Sequence, residues 1–129
     1  MFQRDVFIQE ITNRLEKDKS IFFLSADFGA PALDILREKF PKNFIHCGIS
    51  EQAMLDIASG LALEGLKPWV YTITPFLIER PFEQIKLDVD QQKANVKLVV
   101  NISEAAIFIH SDIVLLQRIL HILVDNALK

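Results

Sequence analysis

This sequence of 129 residues contains one cysteine, and it lacks basic runs and long apolar stretches. Each of these absences excludes a class of protein. The single cysteine, Cys47, excludes an intramolecular disulfide and leaves too few thiolates for a cysteine-based zinc site. No run of lysine or arginine occurs and the net charge is -3, so nothing indicates a nucleic-acid-binding surface. No apolar stretch reaches the roughly 20 residues that span a bilayer, and the charged N-terminal segment does not resemble a secretory signal. We therefore expect a cytoplasmic protein without nucleic-acid or membrane partners.

Glycine and proline are also scarce, and both are missing from the C-terminal part of the chain. The four glycines lie at or before Gly65, and the five prolines lie at or before Pro81. Hydrophobic residues make up 50% of the sequence and charged residues 24%, which suits one folded domain with an apolar core. The change in composition near residue 100 nevertheless indicates that two segments of different character meet there.

Helical and strand-like patterns alternate along the first hundred residues. Helices are predicted over residues 4–17, over "GAPALDILREKF", from Glu51 to Gly65 with Ser50 as its cap, and from Pro81 to about Gln92. Between them lie four strand candidates, "SIFFLSAD", "FIHCGI", "WVYTIT" and "NVKLVV". The apolar stripe expected along the Glu51 helix consists of Met54, Ile57, Ala58, Leu61 and Ala62. This alternation predicts an α/β fold with a mostly parallel sheet flanked by helices.

A further strand and a closing helix are predicted in the last thirty residues. The strand runs from Ala106 to His110, and the helix begins at its cap, Asp112. Because only a few residues separate "KLVVNI" from "AIFIH", an antiparallel hairpin is favoured over a parallel crossover. We expect residues 1–129 to form one domain.

Three segments carry a resemblance to a known family: "LSADFGAPAL", "FPKNFIHCGISEQAMLDIASGLALEGLKPWVYTITPFL" and "ERPFEQIKLDVDQQKANVKLV". Together, over about residues 1–99, they resemble the pyrimidine-binding domain of transketolase-like thiamine diphosphate enzymes. The G-I-S-E-Q segment, the later G-L-A and the P-F-L-x-x-R-x-x-x-Q pattern occur in the family's order. This combination is specific for the family and uninformative about the substrate.

The resemblance implies a cofactor site. It places Glu51 against a ring nitrogen of the cofactor's aminopyrimidine, where a carboxyl group favours the imino tautomer that can accept the thiazolium proton. It places Phe76 beside the pyrimidine ring, Asp27 near the cofactor, and Arg80 toward a substrate or a neighbouring subunit. Without the resemblance, the preferred interpretation of Glu51 is a favourable charge at a helix start, and that of Phe76 is a core aromatic.

The same resemblance implies that half of the site lies elsewhere. In this family a different domain holds the diphosphate and its magnesium through a G-D-G motif, and this sequence contains no G-D-G. Residues 1–99 thus supply one half of a site at most, and Glu51 is either vestigial or dependent on a partner.

Residues 100–129 resemble a second family, the N-box region of sensor histidine kinase ATP-binding domains. The pieces "D-x-x-x-L-x-R-I-L" and "L-V-D-N-A-L-K" carry this likeness, and Asn126 would be a magnesium-ATP ligand if the N-box were functional. The position four residues earlier, usually polar in that family, is Ile122, and the glycine-rich nucleotide loops are missing. We therefore favour an amphipathic helix that closes a core over an ATP-binding element.

No other residues indicate a metal site. His46 and His110 lie in strand-like runs and are expected to be partly buried, whereas His121 lies on a polar helix face. Cys47 is expected to be a small buried hydrophobe.

Three hypotheses follow. The first is a chimera of a transketolase-like half-site and a kinase fragment, engineered or recombined, which forms homo-oligomers, binds no cofactor alone and has no autonomous catalysis. The alternative is a subunit of a split thiamine-diphosphate-dependent transketolase, which binds the cofactor with magnesium only when a diphosphate-binding partner is present. A nucleotide-binding signalling fragment is a third possibility, disfavoured by the missing glycines.

Overall fold

A computed structural model describes residues 3–26, 31–102 and 105–109. Five strands form one sheet in the order β2-β1-β3-β4-β5. Their bounds are β1 Ile21–Ser25, β2 Phe44–His46, β3 Lys67–Tyr71, β4 Lys97–Ile102 and β5 Ala105–Ile109. The first four strands are parallel, and β5 pairs with β4 in the antiparallel sense. The predicted α/β class, the mostly parallel sheet and the C-terminal hairpin are therefore confirmed.

Helical segments connect the parallel strands. They are α1 Gln3–Lys17, a 3-10 turn Pro31–Leu33, α2 Asp34–Lys39, α3 Glu51–Leu63, α4 Thr74–Ile78, α5 Phe82–Gln84 and a π-helical segment Ile85–Asp90. Charges at the ends of α1 suit the helix dipole, with Asp5 in the first turn and Arg14 and Lys17 in the last.

Apolar layers cover both faces of the sheet, since alternate strand residues point to opposite sides. On one face, Leu24, Val70 and Leu98 pack against α3, α4 and the π-helical segment. On the other, Phe23, Trp69 and Val99 pack against α1 and α2. Parallel strands covered on both sides must be apolar throughout, which explains the continuous apolar run of β1.

The structure corrects several local predictions. Ser50 occupies the N-cap position of α3, but its side chain makes no capping hydrogen bond. The buried face of α3 includes Met54, Leu55, Ala58 and Ser59, so the predicted stripe was wrong at Ile57, which is 42% exposed.

The helix predicted from Pro81 to about Gln92 is also different in detail. The chain already turns helically at Thr74–Ile78, Pro81 lies at the N-cap of α5, and a π-helical stretch follows. The wider π turn displaces side chains from the 3.6-residue period on which the prediction relied.

Five sequence predictions fall outside the described residues. These are the cofactor contact of Asp27, the partial burial of His110, the helix capped by Asp112, the polar position of His121 and the N-box role of Asn126.

Candidate functional site

The predicted site residues lie at the edge of the sheet where the parallel strands end. The connection from β1 leads to β2 on one side, and the connection from β2 then leads to β3 on the other side of β1, so the direction of strand addition reverses at β1. Such a reversal opens a crevice at the carboxyl ends of the strands, the usual ligand position in open α/β sheets. The segments that leave β2 and β3 lead directly into α3 and α4 at this edge.

Glu51 is the first residue of α3 and the only charged side chain among the buried polar residues of the described part of the chain. It is 4% exposed. Four residues separate it from the end of β2, and Gly48 turns within them at a φ of 67°. The left-handed conformation suits glycine and allows the short turn that places the carboxylate at the start of the helix.

Arg80 pairs with Glu51 across 29 residues of sequence. The Nη1 of Arg80 donates to the Oε1 of Glu51 at 2.8 Å, and the arginine side chain is 43% exposed while the glutamate is 5% exposed. The same guanidinium lies over the ring of Phe76, with its Cζ 3.5 Å from the ring centroid. One planar cation thus contacts both the buried carboxylate and the aromatic face.

Glu51, Phe76 and Arg80 are called the triad below. Neighbouring residues stabilise the chain around it. Pro75 stands in the first turn of α4, where the missing N–H costs no helical hydrogen bond. Thr72 donates its hydroxyl to the Ala26 carbonyl at 3.0 Å, which joins the ends of β3 and β1. Near them, the fully buried hydroxyl of Ser25 finds no hydrogen-bond partner within the described residues.

The structure brings together three of the four residues that the sequence indicated. Glu51, Phe76 and Arg80 form one constellation, and Asp27 lies outside the described residues. The contact between Arg80 and Glu51 was not predicted. A sequence signal existed only for the stacking of Arg80 on Phe76, since these two residues stand four positions apart and can meet on one helical face.

Titratable groups outside the triad include Cys47, Asp56 and His46. Burial raises the pKa of the half-buried Cys47 thiol. Burial, and then the neighbouring Asp88 carboxyl, raises the pKa of Asp56. His46 is exposed at the end of an edge strand, so its predicted partial burial was wrong.

Residues 3–26, 31–102 and 105–109 contain neither a metal-ligand cluster nor a membrane-spanning helix. They hold no cluster of three histidine, cysteine or acidic side chains that could bind a metal. No helix within them has the length and apolarity to cross a membrane.

The fold and the triad define a class of protein: a mostly parallel α/β domain with a buried glutamate and an aromatic ring at the carboxyl ends of its parallel strands. The chain belongs to the family of transketolase pyrimidine-binding domains, because the family model described as "Transketolase, pyrimidine binding domain" matches residues 3–105. That match extends beyond position 100, where the sequence analysis placed a joint.

Curated relatives and solved structures agree with the family. One of the subunits of the apulose-4-phosphate transketolase of Phocaeicola vulgatus is 32% identical over 97 residues, covering 74% of this chain and 31% of that protein. The 1-deoxy-D-xylulose-5-phosphate synthase of Rhodobacter capsulatus is 31% identical over 97 residues, covering 74% and 15%.

Among solved structures, a split gene transketolase described as an inactive beta4 tetramer superposes with a TM-score of 0.69 at 28% identity. The superposition covers 75% of this chain and 33% of that one. The chain thus spans less than a third of the length of these relatives, and about a third of the solved structure is matched.

Proposed function

We propose that this chain is a subunit of a split thiamine-diphosphate-dependent enzyme of the transketolase type, in which it supplies the pyrimidine-binding half of the cofactor site. The family match supports the domain type. Two similar proteins are described as a transketolase subunit and as a split gene transketolase, which supports a divided enzyme. The single observation that carries the proposal is the buried Glu51 carboxylate facing an aromatic-lined edge.

Glu51 and Phe76 together meet the binding requirements of an aminopyrimidine ring. Such a ring needs a carboxyl group in its plane and an aromatic surface against its face. The guanidinium of Arg80 already makes both contacts at once, at 2.8 Å to Glu51 and 3.5 Å to the centre of Phe76. A planar nitrogen-bearing group of similar thickness therefore fits against Glu51 and Phe76 in the place that the guanidinium occupies.

The chain's own residues would bind and orient the ring. Glu51 would hold a proton between its carboxylate and a ring nitrogen, in a position nearly closed to water. Phe76 would fix the ring plane by stacking. When bound, the cofactor supplies the nucleophilic thiazolium carbon that the chemistry requires.

The diphosphate and its magnesium would be held by a partner chain that carries the G-D-G motif. Large apolar side chains surround the same sheet edge and remain exposed: Ile49 at 76%, Ile73 at 44% and Phe82 at 47%. Exposed apolar patches mark protein interfaces, and these three side chains follow β2, β3 and α4 in the chain. They support assembly with that partner, and also the homo-oligomer expected from the sequence.

The chimera hypothesis is less well supported than the split enzyme. None of the family, sequence or structure comparisons supports the histidine-kinase likeness of residues 100–129, and the N-box helix lies outside the described residues. The likeness and the joint near residue 100 stay predictions, and so does the conditional role of Asn126, which would be a magnesium-ATP ligand only if the N-box were functional.

Calorimetry tests the proposal. This chain would be co-purified with a G-D-G-containing chain from the same source and titrated with thiamine diphosphate plus magnesium. We expect saturable binding that Glu51→Gln weakens. Glu64→Gln is the matched control, because it makes the same change at the exposed far end of α3. ATP plus magnesium serves as the competing ligand.

Two results would contradict the split-enzyme proposal. One is the absence of thiamine diphosphate binding by a stable two-chain complex. The other is binding that Glu51→Gln and Glu64→Gln affect equally. Saturable binding of ATP by this chain would instead favour the kinase-like interpretation.

A further inference from the structure

Arg80 makes the two contacts that the proposed cofactor ring would require. Its guanidinium donates to the buried carboxylate of Glu51 at 2.8 Å and stacks on Phe76 at 3.5 Å. Two ligands cannot share one face of Phe76 and one oxygen of Glu51 at these distances. Arg80 and an aminopyrimidine therefore exclude each other in the arrangement seen here.

We propose that Arg80 is an internal placeholder that fills the pyrimidine site when the cofactor is absent and swings out when the ring binds. This inference rests on the proposed function, since it assigns a regulation to the same site. The ligand class is a planar nitrogen heterocycle with an N–H in its plane, of which aminopyrimidines are one example.

The chemistry of the guanidinium makes it a close substitute for such a ring. It is planar, it directs N–H groups outward within its plane, and its face stacks on aromatic rings. Lysine has a compact ammonium and offers neither the plane nor the stacking face. Arginine therefore satisfies the buried carboxylate and covers the aromatic surface in a way that lysine cannot.

The exposure of Arg80 makes the exchange feasible. Its side chain is 43% exposed, whereas that of Glu51 is 5% exposed, so the arginine reaches inward from solvent to a fixed acceptor. On leaving, the guanidinium is rehydrated, while Glu51 and Phe76 stay in place to receive the ring. Arg80 stands beyond the last residue of α4, Ile78, where a change in side-chain position does not disturb a regular helix.

A placeholder weakens the apparent affinity for the ring. The apparent dissociation constant is the intrinsic constant divided by the fraction of molecules whose site is open. If the closed form predominates about ten to one, removal of Arg80 tightens binding about tenfold. A permanent ring ligand would behave in the opposite way, because its removal would weaken binding.

In the test, the full chain is titrated with 4-amino-2,5-dimethylpyrimidine. Binding is measured by calorimetry and by the change in the NMR signals of the arginine side chains. We expect Arg80→Gln to bind this probe about tenfold more tightly than the unmodified chain. Addition of Glu51→Gln to that variant should remove the gain. In the unmodified chain, the Arg80 signal should shift toward that of a solvated arginine as the probe binds.

Arg37→Gln is the matched control. Arg37 also pairs with an acid, Asp34, and stacks on a phenylalanine ring, with its Cζ 5.3 Å from the centre of Phe44. It belongs to α2, away from the triad, so its replacement should leave the probe affinity unchanged. The NMR titration needs no variant and keeps the proposal testable if Arg80→Gln does not fold.

The outcomes separate this inference from the proposed function. If the two-chain complex binds thiamine diphosphate through Glu51 but Arg80→Gln binds the probe equally or more weakly, the placeholder is refuted and the split enzyme stands. An Arg80 signal that the probe does not move also refutes the placeholder. If the complex binds no cofactor, the proposed function fails, and the placeholder fails with it.

Discussion

Replacement of Arg80 should convert Glu51 from a satisfied ion-pair partner into an unpaired buried charge. The sign of the Glu51→Gln effect should then depend on Arg80. In the unmodified chain, Glu51→Gln removes one partner of the pair and should destabilise the fold. In an Arg80→Gln background, the same change removes an unpaired charge from a position that is 4% exposed, so it should stabilise the fold.

The magnitude follows from the mixed exposure of the pair. Unit charges about 4 Å apart interact by about 4 kcal/mol at an effective dielectric constant of about 20. Fully exposed pairs contribute only about 0.2–1 kcal/mol, and breaking fully buried pairs costs about 3–5 kcal/mol. Because Arg80 is 43% exposed and Glu51 is 5% exposed, we expect a coupling energy of about 1–2 kcal/mol.

Urea unfolding of the unmodified chain, the two single variants and the double variant measures this coupling. The four free energies of unfolding form a double-mutant cycle, in which effects specific to one residue cancel. A coupling energy below about 0.3 kcal/mol, within the usual error of additivity, would refute the pairing. So would a Glu51→Gln effect of the same sign and size in both backgrounds.

Two further predictions concern the fold. The Lys67 ammonium and then the Ser20 hydroxyl and amide hold the pKa of Asp18 at about 2, below its ordinary value of 3.8. The stability that these contacts contribute is therefore present above pH 3.8 and lost as the pH falls through about 2. In urea unfolding at acid pH, Asp18→Asn should lose less free energy of unfolding over this range than the unmodified chain. An equal pH dependence of the two proteins would contradict this. Gly65→Ala should destabilise the fold by about 1 kcal/mol, because Gly65 has a φ of 82°. Gly60→Ala, within α3, should stabilise the fold by about 0.5–1 kcal/mol. Equal melting temperatures of the two variants would contradict these two predictions.

Patterns that depend on neighbours in sequence predicted most of the fold. The apolar run of β1 and the short turn before β5 each limit the local choices of the chain, and the structure places a parallel strand and an antiparallel hairpin there. Gly65 ends the helical pattern of α3 as expected, with its N–H bonded to the carbonyl of Ala62.

Features that depend on distant contacts were not predictable in the same way. Ile57 fits the apolar period of α3, yet it is exposed because the contacts of the sheet select another face of the helix. The π-helical segment changes the period itself. The ion pair of Glu51 and Arg80 joins residues 29 positions apart, and no local pattern specifies which side chains meet across two loops.

We propose that Glu51 acts on the pyrimidine ring of thiamine diphosphate, and hydrogen exchange at the thiazolium carbon tests this role most directly. The exchange rate of this proton for deuterium would be measured by NMR in the complex with a G-D-G-containing chain. A group that moves a proton in this way contributes about 10²–10⁴-fold, so Glu51→Gln should slow the exchange by about that factor while Glu64→Gln leaves it unchanged. Exchange in the complex no faster than in free cofactor, or equally fast with Glu51→Gln, would contradict the account.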